Sequence, residues 1–225
     1  MKTNKKILAR LIGVELVITL LPSMALADDP VSYNLWVGGK QVTSENAGNI
    51  TSGEGIILGE DGYVRYDATS NTLELKNATI TGSSDIDITD WKANIYAAGK
   101  LNVSFSGTNV VSGDKDKANI AIYSSDGDIS VTGSGSLKAE GTTTGILTYE
   151  KGITIKDCAG LTATGSGNTG IYGYAGVTIE NISQIILQRI GTPFFDNICP
   201  SLQTGRPITL KKSPSMARTN SAPLP

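Results

Sequence analysis

Five tyrosines recur at related positions along the chain: Tyr96, Tyr123, Tyr149, Tyr172 and Tyr174. A row of phenols offers flat apolar rings with polar tips, a surface suited to stacking on sugar rings. The same row can instead stack on itself and stiffen one face of a sheet without any ligand. A second group is the acidic run of Asp85, Asp87 and Asp90. Carboxylates are the oxygen donors that calcium takes, and a calcium-dependent lyase would acidify a sugar carbon there. Such an enzyme also needs a base beside the metal, and only Lys92 and Lys115 lie near in sequence. The run lacks calcium-loop spacing, so a solvated surface loop is the simpler reading. No cofactor is expected, with calcium as the one alternative.

The composition removes other chemistries. The 225 residues contain no histidine, which excludes Ser-His-Asp and Cys-His catalysis and any metal site that needs imidazole. A net charge of −2 provides no basic field for nucleic acid. The two cysteines, Cys158 and Cys199, have no metal-ligand spacing. Pairing is open to them in an exported chain, but a small buried Cys158 is preferred. The glycine-rich stretches Gly133-Ser-Gly-Ser136 and Thr164-Gly-Ser-Gly-Asn168 open no helix and lack a phosphate-loop lysine. They are turn chemistry.

What would position the tyrosines is a repeat. An apolar-x-apolar signal occurs at Leu73-Glu-Leu75, Leu101-Asn-Val103, Ile129-Ser-Val131, Ile153-Thr-Ile155 and Val177-Thr-Ile179, with spacings of 28, 28, 24 and 24 residues. A second signal follows near Ile80, Val111, Ala139, Ala163 and Leu187, and a third at Ile95, Ile122, Ile146 and Ile171. Glycine closes most periods, at Gly99, Gly127, Gly152 and Gly176, and suits sharp corners because it takes positive φ without a Cβ clash. Three short strands per period describe one coil of a parallel β-helix, whose neighbours must supply its core. If the isoleucines of the third signal point inward, the adjacent tyrosines point outward. Leu147 interrupts that file, Tyr149 lies two residues on, and Tyr174 extends it.

The flanks differ from the repeat. Met1–Ala27 reads as a secretory signal: Lys2, Lys5, Lys6 and Arg10 precede an apolar run, and Ala25-Leu-Ala27 is a cleavage site. The apolar run is too short for the roughly 20 residues of a membrane span. Residues 28–71 hold a hairpin signal, with Gly38-Gly39 between two strand signals, and a further strand at Gly62–Tyr66. This block is placed to cap the first coil. Residues 72–188 form the repeat. Residues 189–225 hold six of the eight prolines and read as an irregular tail, either a solvated linker or the scar of a truncation or shifted reading frame.

The head motif Tyr33-Asn-Leu-Trp-Val-Gly-Gly39, with Val42-Thr43, Tyr66-Asp-Ala68 and Asn71-Thr-Leu-Glu-Leu-Lys-Asn-Ala78, resembles that of exported proteins of gut Firmicutes. Those are commonly labelled carbohydrate-binding-domain-containing or cell-surface proteins. The resemblance spans Tyr33 to Leu187 and implies β-helix coils directly after the head. The expectation is therefore an all-β protein: a parallel, right-handed β-helix solenoid of about four to five coils with an N-terminal β-hairpin cap. It would be secreted or held at the cell surface and act as a non-catalytic adhesin or interaction module, with a glycan or cell-wall polysaccharide as partner. The rivals are a β-helix polysaccharide lyase or glycoside hydrolase, and a structural spacer. Hydrolysis needs two carboxylates facing across a groove, and Asp87 and Asp116 fall on different corners.

Overall fold

Alternation of apolar and polar residues gives strands, and a computed structural model of the chain places sixteen of them among the residues it describes: 29–51, 55–85, 91–113, 119–165, 169–189 and 208–211. The chain divides into two units, Met1–Pro30 and Val31–Pro225, and every described strand lies in the second. The described residues contain no helix. The secretory signal, Asp87, Asp90, Asp114–Lys117, Cys199 and most of the tail lie outside the described residues.

The strands begin with a hairpin. β1 (Ser32–Val37) and β2 (Lys40–Thr43) pair antiparallel across Gly38 and Gly39. Both glycines have positive φ, as a tight two-residue turn requires. β3 (Ile56–Asp67) pairs antiparallel with β4 (Thr72–Ile80). After β5 (Ser84–Asp85) come β6 (Lys92–Ala97), β7 (Leu101–Ser106), β8 (Thr108–Ser112) and β9 (Ile120–Ser124). Longer strands follow: β10 (Ile129–Gly141), β11 (Thr144–Thr148), β12 (Ile153–Gly165) and β13 (Thr169–Gly173). β14 (Val177–Ile182), β15 (Ile185–Arg189) and β16 (Ile208–Lys211) complete the order.

These strands stack in parallel as a β-solenoid of about three turns: β7–β9, β10–β11 and β12–β13. β4–β6 lead in and β14–β15 lead out. The sequence expectation of four to five coils counted these partial turns. One sheet holds the first and second strand stacks, because β10 and β12 run through both, and the other sheet holds the third. β1 pairs antiparallel with β6, so both sheets start with antiparallel strands before the parallel ones.

The buried columns match the expected signals with one correction. Ile95, Ile122, Ile146 and Ile171 sit in register on successive turns and are all buried. So do Ile80, Val111, Ala139 and Ala163, with Leu187 next in line. Leu101, Ile129, Ile153 and Val177 likewise line up. Leu73, however, pairs with Val103 and Leu75 with Phe105, not with Leu101 and Val103. A slip of two residues keeps every side chain on its face, so the hydrophobic pattern alone does not choose between these registers. The tail also differs from expectation. Ile208–Lys211 adds a parallel strand over β14, with Ile208 opposite Val177 and Leu210 opposite Ile179.

The corners between first and second stacks use left-handed residues: Asn77, Gly107, Asp157 and Asn181 all have positive φ. Asn and Asp tolerate that region better than other side chains. The Asn77 side chain accepts a bond from Thr108 N–H (3.0 Å), and Asn181 Nδ2 donates to Asp157 Oδ1 (3.1 Å). Buried Asn109 ties three turns together. Its Oδ1 accepts from Ala78 N–H (3.1 Å), while its Nδ2 donates to Ser106 O (2.8 Å) and Ser136 O (3.4 Å).

The expected positive φ at the closing glycines holds only at Gly176. Gly127 is required by close approach instead, since a Cβ there would overlap Lys100 N and the Gly99 carbonyl carbon. Cys158 is a buried free thiol, as preferred from the sequence. Burial pushes it up to about 11, and the next charge, Asp157, adds to this.

Candidate functional site

The third stack carries the tyrosine file. Trp36, Tyr96, Tyr123, Leu147 and Tyr172 occupy consecutive ladder positions on β1, β6, β9, β11 and β13. With Ile95, Ile122 and Ile171 turned into the main core, Tyr96, Tyr123, Leu147 and Tyr172 form a second cluster with Ala93, Ile120 and Trp91. Neighbouring rings are held at the ladder spacing and stack face on face. The Trp36–Tyr96 centroids are 5.3 Å apart at 24°, and the Tyr96–Tyr123 centroids 5.6 Å apart at 16°. Trp91 places an edge against Tyr123 at 6.0 Å and against Tyr149 at 6.2 Å.

This geometry assigns the five tyrosines unequal roles. The faces of Tyr96 and Tyr123 are occupied by neighbouring rings, each such pair contributing about 0.5–1.5 kcal/mol beyond area burial. Tyr123 is only 6% exposed. Its hydroxyl is pushed up to about 12, chiefly by burial and then by Tyr96, Asp126, Tyr149 and Glu150. Tyr172 is half-buried beside Leu147. Tyr149 and Tyr174 remain open, at 56% and 50% exposure.

Both open tyrosines stand on the corner that leads from the third stack back to the first. Tyr149 N–H donates to Ser124 O (3.4 Å) and Tyr174 N–H to Thr148 O (3.3 Å). The ladder therefore runs one residue past the strands, and the two tyrosines sit on consecutive turns about 4.8 Å apart. The corner segments are 98–100, 125–128, 149–152 and 174–176, and each is tied to its neighbours. Ser124 Oγ donates to Gly99 O (2.8 Å), Thr148 Oγ1 to Lys151 O (2.6 Å) and Gly152 N–H to Asp128 Oδ1 (2.9 Å). Leu101, Ile129 and Ile153 N–H groups donate to Asp128 O, Gly152 O and Gly176 O. The result is a fixed edge bearing Lys100, Asp126, Tyr149, Glu150, Lys151 and Tyr174.

At the head of this edge lies a cleft of about 260 Å³. Tyr33, Asn34 and Leu35 of β1 form one side, Tyr66 of β3 and Asn71 another, and residues 97–101 the floor and rim. The Tyr33 and Tyr66 rings meet at 5.5 Å and 50°. Tyr66 Oη donates to Asn71 Oδ1 at 3.0 Å, and burial raises the Tyr66 phenol above its ordinary value, with Tyr33 and Asp67 adding to this. The sequence reading assigned none of these residues to a site. They come from three separated segments, 33–35, the β3–β4 hairpin at 66–71 and 97–101, which the pairings of β1 with β6 and of β4 with β7 bring together.

Of the acidic run, only Asp85 is among the described residues. Asp85 lies opposite Lys92 in the β5–β6 pairing, whereas Asp87 and Asp90 fall outside the described residues. Among the described residues, no group of three or more Asp, Glu, Cys or His is placed to hold a metal ion. Nor is any described helix long and apolar enough to cross a membrane. Neither known protein families, curated proteins nor solved structures yield a match to this chain.

Proposed function

We propose that the chain is an exported, non-catalytic β-solenoid of the cell surface or extracellular space, and that it binds glycans along its third-to-first corner. In this reading the β1–β2 hairpin and β3 cap a right-handed coil and protect its first turn from edge pairing. The observation that carries the proposal is the pair Tyr149 and Tyr174: two half-exposed phenols on a hydrogen-bonded edge, one ladder step apart, flanked by Glu150 and Lys151. Rigid aromatic surface with polar neighbours is what sugar rings stack on.

The test is a glycan array with the purified chain and with Tyr149→Ala plus Tyr174→Ala. Binding lost in the double variant, with unfolding unchanged, supports the proposal. Calcium-dependent turnover of a bound polysaccharide would replace it with the lyase. A passive spacer is the second reading, favoured by the mutual stacking of Trp36, Tyr96 and Tyr123. An array with no binding would leave that one standing.

A further inference from the structure

We propose that the cleft at the head of the corner is a separate binding site for one carboxylated sugar ring, a hexuronate or the uronate at the end of an acidic polysaccharide. The choice of a sugar rests on the glycan-binding reading; the choice of an acidic one rests on the cleft itself.

Size comes first. At about 260 Å³ the space is smaller than the roughly 300–1,000 Å³ of pockets for drug-sized ligands, so it suits one ring and not a chain. The walls come next. Tyr33 and Tyr66 both line the space with their rings in tilted contact, and together give it an aromatic wall. The polar groups are held in place. Asn34 and Asn71 both sit on left-handed backbone, with φ of 51° and 52°. Their carbonyls accept bonds from Ala98 N–H (3.0 Å) and Asn102 N–H (2.8 Å). Tyr66 occupies Asn71 Oδ1, which turns the amide so that Nδ2 is the group left to donate.

Charge decides the class of ligand. Among the described residues, the lining includes Lys100 and no carboxylate. Lys100 is exposed and forms no ion pair among the described residues. The neighbouring acid, Asp67, is not one of the lining residues. Its carboxylate accepts from Thr69 N–H (2.9 Å) and Ser70 Oγ (2.7 Å), bonds that lower its pKa. An ammonium beside amide donors selects an anion, and the two rings select one that carries a pyranose.

Saturation-transfer NMR on the full chain tests this with sodium glucuronate, glucose and acetate as probes. Glucuronate should bind at least tenfold more tightly than glucose, and acetate should not displace it. Lys100→Met should bring glucuronate down to the level of glucose, and Tyr66→Phe should weaken it severalfold. Tyr149→Ala plus Tyr174→Ala should leave it unchanged. Equal binding of glucose and glucuronate, displacement by acetate, or indifference to Lys100→Met would each overturn the proposal. The two readings fail separately. A silent array with intact glucuronate binding removes the corner and keeps the cleft. Tyrosine-dependent array binding without glucuronate uptake does the reverse.

Discussion

Replacing Ile122 with alanine should destabilise the fold by about 4 kcal/mol. Ile122 is fully buried, with Ile95 on the turn before it and Ile146 on the turn after. The substitution deletes three carbons, worth ~2.4 kcal/mol at ~0.8 kcal/mol each. The neighbouring turns are fixed by backbone ladders and close the gap only in part, so a hole of roughly 60 Å³ adds about 1.5 kcal/mol. Urea unfolding followed by the fluorescence of Trp36 and Trp91 measures the loss. Ile186→Ala is the control, because Ile186 is half-buried opposite Thr162 and should cost about 1 kcal/mol or less. A loss below about 1.5 kcal/mol at Ile122, with an unchanged denaturant slope, would mean that the isoleucine column is not a packed one.

Other expectations follow from corners, amides and buried protons. Gly127→Val should cost more than ~2 kcal/mol, because its side chain meets the Gly99–Lys100 backbone of the turn before. Gly99→Ala, with nothing within 4 Å of its Cβ, should unfold like the parent chain. Asn109→Ala leaves Ala78 N–H and two carbonyls without their partner and should cost ~2–4 kcal/mol in the same unfolding assay. Stability should also fall at alkaline pH. Cys158 is raised from 9.0 to about 11, so the folded state holds its proton more tightly. That contribution is complete below pH 9 and is lost between about 9 and 11. Tyr123, raised from 10.0 to about 12, extends the fall. Unfolding midpoints across this range should flatten first in Cys158→Ala and at the upper end in Tyr123→Phe.

The third stack was legible because each of its turns places one isoleucine beside one aromatic or leucine, and inward–outward alternation then assigns both. Leu101-x-Val103-x-Phe105 was ambiguous for the opposite reason. It offers three inward residues to the two of Leu73-x-Leu75, and a two-residue slip preserves the face. Between Leu73 and Ile80 the lead-in strand also has one residue fewer than the first turn has between Val103 and Val111. Ile208-Thr-Leu210 carries the same signal as Ile153-Thr-Ile155 but arrives 31 residues after Val177, outside the expected spacing. The stacking of Trp36 on Tyr96 depends on an antiparallel pairing that the repeat does not contain. The cleft depends on turn residues such as Asn34 and Asn71, whose left-handed backbone has no signature in an apolar pattern.

The most direct test is a map of where an acidic oligosaccharide, chosen from the array, touches the chain. Backbone amide shifts should move at residues 98–101, 125–128, 149–152 and 174–176, and at Tyr33, Tyr66 and Asn71. Shifts gathered instead on the outward row Asn102, Ser130, Thr154 and Thr178 of the first stack would contradict the account.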